Sequence, residues 1–293
     1  MAHSGPVATD QRKGVWQPFD ETTRPRRVWA MGLTFADHVR ETGERAGSPV
    51  VFAKPCEPSV NPPTLPWPRA AALAELLNEL DPALCQRLGP RVARMPVLLD
   101  YEVEVGLCLL EDWPAGAQHR MPRVGFFVAN DATARSLQMA GMGAPAPLPF
   151  WSAAKGLAGF LPVTPATWCP DAPSADEWPD VTLRTWVNGQ LRQQAPLRAL
   201  LYSPLHLLQC AAAQAPDRAL HRDDLVLTGT PAGIALQVPG WKRRVAACLP
   251  RPVAVAAAWR SQEASSRFLQ AGDVVAQGAD WLGQLQFTVE AAA

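Results

Sequence analysis

The stretch DYEVEV, residues 100–105, sets two glutamates one residue apart inside the apolar run PVLLDYEVEVGLCLL. Side chains of a strand alternate faces with period two. As a strand, this run sends Glu102 and Glu104 to one side and Tyr101, Val103, Val105 and Leu107 to the other. If the glutamate face is solvated, the run is an ordinary half-exposed strand. If it is buried, two like charges share a low dielectric and need a positive partner. The run alone leaves both open.

Composition narrows the class. The chain has 293 residues, 48% hydrophobic and 18% charged, enough for a large core. Zero formal charge argues against nucleic acid or an anionic membrane as partner. No apolar run reaches transmembrane length, and the start MAHSGPVATDQRKG lacks a signal-peptide core, so a cytoplasmic protein is expected. The six cysteines are scattered without a CxxC pair and read as reduced core thiols. Thirty prolines suit a β-rich fold with many turns better than a helical bundle.

Outward from the glutamates, residues 1–24 are polar and expected to be a tail, with one domain over 25–293. RVWAMGLTFADHVRETG predicts a strand running into a helical turn that carries His38 and Glu41. Residues 57–68 are extended and proline-bound; residues 69–80 are rich in helix formers. VGFFVAND predicts a buried strand ending at Asp131, followed by a helix. Asn188-Gly189 between two alternating runs predicts a hairpin. Ser203-Pro204 opens a helix, and DDLVLTGTPAG is a strand breaking into a turn. Residues 234–267, alanine- and arginine-rich without clear periodicity, are expected to be an insertion.

Several residue sets could carry chemistry. Asp131 at a strand end is either a helix N-cap or a functional group presented by a loop. Arg135 and Gln138, at i+4 and i+7 from it, would share its helix face. Glu102, Glu104 and Asp131 offer only oxygens, a set that suits Mg²⁺, Mn²⁺ or Ca²⁺ and not zinc. Such a cation would offset the repulsion between the two glutamates. His38 and Glu41 at i, i+3 can hydrogen bond, the arrangement a general base needs, or they form a surface helix pair. Lys155 stands alone in an apolar context, as a snorkelling lysine or a catalytic cation. TGTPAG, residues 228–233, lacks the lysine of a P-loop and is a tight turn.

The order of these segments resembles the fumarylacetoacetate hydrolase family. The resemblance runs through GLTFADHVRE, PVVFAKP, DYEVEVGL, GFFVANDATARSLQ, KGLAGFLP, VNGQLRQ, LVLTGTPAGI and FLQAGDVV, from about residue 28 to residue 290. It implies a mixed, β-rich α+β fold with a β-roll core and short peripheral helices, assembled as a homodimer. Carried over by motif, it implies Glu102, Glu104 and Asp131 as ligands of Mg²⁺ or Mn²⁺, with Ca²⁺ as a non-native occupant. It implies Arg135, Gln138 and Thr230 as substrate-binding residues and Lys155 as the active-site lysine. His38 and Glu41 match a dyad on a lid, here about residues 33–48.

The chain also departs from the family pattern. KGLAGFLPVTP puts Ala158 where family members carry aspartate and Val163-Thr164 where they carry Leu-Gly, while Thr34-Phe35 replaces Asn-Tyr. The implied reaction is metal-dependent hydrolysis of a carbon–carbon bond in a β-dicarbonyl acid, an acylpyruvate or a fumarylacetoacetate-like compound. Its course would be water activation by the dyad and a metal-stabilised enolate. Oxaloacetate decarboxylation and isomerisation of an unsaturated 2-oxo acid in aromatic catabolism draw on the same enolate. A non-catalytic keto-acid-binding protein is the reading outside the enzymes. The Ala158 and Val163-Thr164 changes favour it, and the intact dyad and ligand set oppose it.

Overall fold

The run around the two glutamates forms two strands, not one. In this computed structural model, which describes residues 13–19, 25–42 and 47–290, Leu99–Asp100 pairs with Thr133–Ala134. The longer strand Val103–Leu109 pairs with Val124–Asn130 on one side and Leu225–Leu227 on the other. At the break, side chains replace ladder partners: Tyr101 N donates to Asp100 Oδ1 at 2.9 Å and Glu102 N to Asn130 Oδ1 at 3.0 Å. The bend corrects the expected alternation. Val103, Val105 and Leu107 pack in one core, but Tyr101 joins the other, because it precedes the strand that sets the register.

These strands lie at the centre of a nine-stranded sheet. Its main path runs Gly14–Pro18, Ala166–Pro170, Val124–Asn130, Val103–Leu109, Leu225–Leu227, Val28–Gly32, Val50–Ala53. A five-stranded sheet follows the order Gln190–Pro196, Thr182–Val187, Val274–Ala279, Gln284–Glu290, Thr64–Pro66. Neither strand path closes into a barrel, and parallel and antiparallel pairs are mixed. Phe126 and Val128 face a core shared with Leu183 and Leu285 of the smaller sheet. Phe127 and Ala129 turn to a second core lined by Leu73, Leu77, Leu84 and Leu88 from short peripheral helices. The β-rich α+β expectation is met.

The predicted hairpin forms across Asn188 and Gly189, whose φ angles of 50° and 76° are those of a type I′ turn. Ser203 caps Pro204–Gln214 as expected. The expected tail is partly ordered, because Gly14–Pro18 pairs with Ala166–Pro170 at the sheet edge; residues 1–12 and 20–24 lie outside the described residues. The expected lid forms the helix Ala36–Thr42, with residues 43–46 outside the described residues. The expected insertion is two helices, Gly240–Ala247 and Arg251–Glu263, the second packed through Val255 and Trp259. The cysteines are free, but Cys248 is exposed and not a core thiol. Among the described residues, no helix is long and apolar enough to cross a membrane.

Candidate active site

The break that bends the glutamate run also builds a site. Glu102 leaves the first strand pair and Glu104 lies in the second, while Asp131 follows the last residue of Val124–Asn130. Asp131 N donates to Glu102 O at 2.9 Å, so the two carboxylates start from bonded backbones. One oxygen from each of Glu102, Glu104 and Asp131 lies within 4.8 Å of the others, and all three residues are buried. The buried alternative for the glutamate pair therefore holds, and the positive partners are present.

Lys155 is the last residue of Leu148–Lys155 and reaches Glu102 Oε2 at 2.6 Å, Asp131 Oδ2 at 2.5 Å and Thr133 Oγ1 at 2.9 Å. Arg135 binds Glu102 through Nη2 and Asp100 Oδ2 through Nε at 2.7 Å, and donates through Nη1 to Gln138 Oε1 at 2.6 Å. Lys54 Nζ lies 2.8 Å from Asp131 Oδ1, though too obliquely for a hydrogen bond, and donates to the Lys155 carbonyl. Four buried acids thus face three buried bases. Glu104 has no basic contact among the described residues; Gly229 N donates to its Oε2 at 2.8 Å, and its Oε1 is buried without a hydrogen-bond partner. Gly229 is held at φ 87°, and a Cβ there would meet Thr34 Oγ1 at 2.2 Å, so glycine lets the turn approach this closely.

The imbalance shows in the acidities. Burial would raise the Glu102 carboxyl, but Arg135 and Lys155 overcome it and hold it at about 2. Glu104 is pushed well above the usual carboxylate range by burial and by the Asp131 charge, which the Gly229 amide only partly offsets. Lys155 is raised despite burial, because Asp131 and Glu102 favour its ammonium. An all-oxygen set with one surplus negative charge and one unpartnered oxygen fits a hard divalent cation. Such a cation competes with the Lys155 ammonium for Glu102 and Asp131.

His38 and Glu41 lie on Ala36–Thr42, with His38 Nδ1 3.4 Å from Glu41 Oε2. His38 is 9% exposed and near enough to Glu102 for its charge to favour the carboxylate. Asp131 is not the N-cap of the following helix, and the shared helix face predicted for it is absent: Arg135–Ala140 begins after Ala134, and Arg135 reaches the site by its own length. The Thr230 hydroxyl accepts from Gln193 Nε2 at 2.8 Å and donates to Val103 O at 3.1 Å, so the fold uses both of its directions. Of the departures, Ala158 is exposed, and Thr164 Oγ1 accepts from Val128 N at 3.1 Å as part of the sheet. Sequence reasoning passed over Lys54, Asp100, Asn130 and Thr133. Asp100 was visible as an acid opening an apolar run, and Lys54 as a lysine at the end of VVFAK.

A family description, "Fumarylacetoacetate (FAA) hydrolase C-terminal", matches residues 27–290. The protein Rv2993c of Mycobacterium tuberculosis is 29% identical over 210 residues, covering 71% of this chain and 66% of that protein's length. The mitochondrial oxaloacetate tautomerase oaa1 of Schizosaccharomyces pombe is 29% identical over 224 residues, covering 74% and 86%. Among solved structures, fumarylpyruvate hydrolase of Pseudomonas aeruginosa, in complex with Mn²⁺ and pyruvate, shares the fold with TM-score 0.59 at 20% identity, covering 100% of both chains. The 5-carboxymethyl-2-hydroxymuconate delta-isomerase of Mycobacterium smegmatis does so with TM-score 0.55 at 22% identity, covering 92% of this chain and 78% of that one. With the match spanning nearly the whole described domain and the motifs meeting in one buried centre, the chain belongs to the fumarylacetoacetate hydrolase family.

Proposed function

We propose that this chain is a divalent-metal-dependent hydrolase that cleaves a carbon–carbon bond in a β-dicarbonyl acid of the acylpyruvate or fumarylacetoacetate type, working as a homodimer. The observation that carries the reading is one buried centre with an acidic triad bearing surplus negative charge, beside a histidine–carboxylate pair on a separate helix. Glu102, Glu104 and Asp131 would hold Mg²⁺ or Mn²⁺, whose contribution when bound is Lewis acidity toward the 2-oxo acid end of the substrate. Arg135 and Lys54 keep the triad in place by engaging Glu102 and Asp131. With Nδ1 turned to Glu41, His38 Nε2 takes the proton from the attacking water. The Lys155 ammonium lies beside Thr133, positioned to balance negative charge on the departing enolate.

Two relatives at 29% identity are named oxaloacetate tautomerases, which favours a second reading: proton transfer on oxaloacetate at the same centre, without attack by water. Acylpyruvates, oxaloacetate and an unsaturated 2-oxo diacid, assayed with Mg²⁺ and with Mn²⁺, separate the two. Chelation should abolish hydrolysis and added Mg²⁺ or Mn²⁺ should restore it. His38→Ala should lower acylpyruvate cleavage by about 10²–10⁴-fold while decarboxylation of oxaloacetate survives. An unchanged ratio of cleavage to decarboxylation in His38→Ala would remove His38 as the base.

A further inference from the structure

The lid helix Ala36–Thr42 has seven residues, too few to hold a helix without tertiary contacts. Its root is fixed, since Leu201 N donates to Thr34 O at 2.8 Å and Phe35 bridges Leu200. Its far end, where Glu41 sits, rests on residues 233–237. Gly233 N lies 3.3 Å from both Glu41 carboxylate oxygens, and Gln237 Nε2 donates to Oε1 at 3.2 Å. That segment is held in turn from below and from behind. Ala235 N and Leu236 N donate to Asp100 at 2.8 and 3.1 Å, and Gln262 Nε2, from the helix Arg251–Glu263, donates to Gln237 O at 3.0 Å.

We infer that residues 233–237 are a built seat for the lid, and that Gln237 is a positioning residue that aligns the His38–Glu41 pair through Glu41. The inference rests on the reading of that pair as the water-activating base. Buried Asp100 ties the seat to the floor of the site: the carboxylate that fixes Ala235 and Leu236 also accepts from Arg135, which grips Glu102. The two helices of residues 240–263 therefore have a task. They carry Gln262, which fixes the backbone of Gln237 from the side away from the lid. A shift of the seat moves Glu41, and with it the orientation of the imidazole, while the cation ligands stay on the sheet.

The test reads the lid apart from the chemistry. Amide hydrogen exchange over residues 36–42 is followed in the full-length protein without added metal, and hydrolysis is measured in parallel. Gln237→Ala should speed exchange about three- to tenfold, the equilibrium worth of one hydrogen bond. Gln237→Glu, which sets a second carboxylate against Glu41, should speed it further, and Gln237→Lys should slow it, a sign change that a general packing role does not produce. In Gln237→Ala, kcat for acylpyruvate cleavage should fall by a similar factor with cation affinity unchanged. Lid exchange that follows the charge series while hydrolysis stays constant keeps the seat and removes the dyad from the chemistry. Exchange equal to wild type in all three variants overturns the seat.

Discussion

The floor of the site and its cover are built on opposite principles. The floor takes its acids and bases from strand ends and helix ends, buries them, and pairs all but Glu104. The cover is a seven-residue helix and a loop, joined by long hydrogen bonds at half-buried and exposed side chains. A rigid floor can fix a cation and the keto-acid end of a substrate, because its charges have no room to relax. A loosely held cover can open to admit the substrate, and its residues meet the part that differs between substrates. The departures from the family pattern fit this division: none of them replaces a floor residue, whereas Thr34 and residues 234–267 adjoin the lid.

If the floor is as tightly coupled as its contacts indicate, removing one charge should cost more than any change in the cover. Glu102→Ala leaves Arg135 without one of its two buried carboxylates and Lys155 without one of its ion partners. Breaking a buried pair from one side costs about 3–5 kcal/mol. Urea unfolding of the metal-free variant should show a loss of that size, and calorimetry should show no Mg²⁺ or Mn²⁺ binding. A loss under about 1 kcal/mol would mean that the floor relaxes as a surface ion pair does.

Glu104 sharpens the contrast, because the same substitution logic has the opposite sign there. It has no basic contact, so Glu104→Gln should stabilise the metal-free protein at neutral pH by about 1–3 kcal/mol, while abolishing cation binding. The pH dependence follows from the direction of each shift. Glu104 is raised in the folded state, so stability declines as pH climbs above the unfolded value of about 4.3 and goes on declining until the folded group ionises. Glu102 is depressed, so its stabilisation is present above that unfolded value and is lost as pH falls toward about 2. Denaturant melts of metal-free wild type should show the upper decline, and Glu104→Gln should erase it.

Much of the floor was legible because its residues have sharp local patterns. Paired glutamates in an apolar run, an aspartate ending a strand and an Asn-Gly turn are each tied to backbone geometry, and each stands where the spacing put it. The missed residues are those whose meaning is set at long range. Asp100 became intelligible only through Arg135, Ala235 and Leu236, which lie 35, 135 and 136 residues away. The two helices of the expected insertion were illegible for another reason. Pro239 and Pro250 precede them, and Arg251–Glu263 sets alanine around most of its surface, so little period separates its buried from its exposed side. Tyr101 was assigned to the wrong core because alternation was carried across a break that only Asn130 and Asp100 reveal.

The smallest expected effect lies in those helices. Trp259 is buried and donates from Nε1 to Ser136 O at 2.8 Å, whereas Trp241 is 64% exposed, with Val245 at 53% and Val253 at 47%. Truncating the exposed indole removes little from a core, so Trp241→Ser should shift stability by less than about 0.5 kcal/mol. Trp259→Ala, with its cavity and orphaned carbonyl, should cost about 3–5 kcal/mol. The pair of melts therefore divides one short segment into a side that belongs to the fold and a side that does not. The homodimer proposed above enters here. If Trp241→Ser costs several kcal/mol, and the melting temperature of wild type rises with protein concentration, the exposed row is covered by a second copy. The cover would then be stiffer than its own contacts make it, and the contrast with the floor would hold only for the separated subunit.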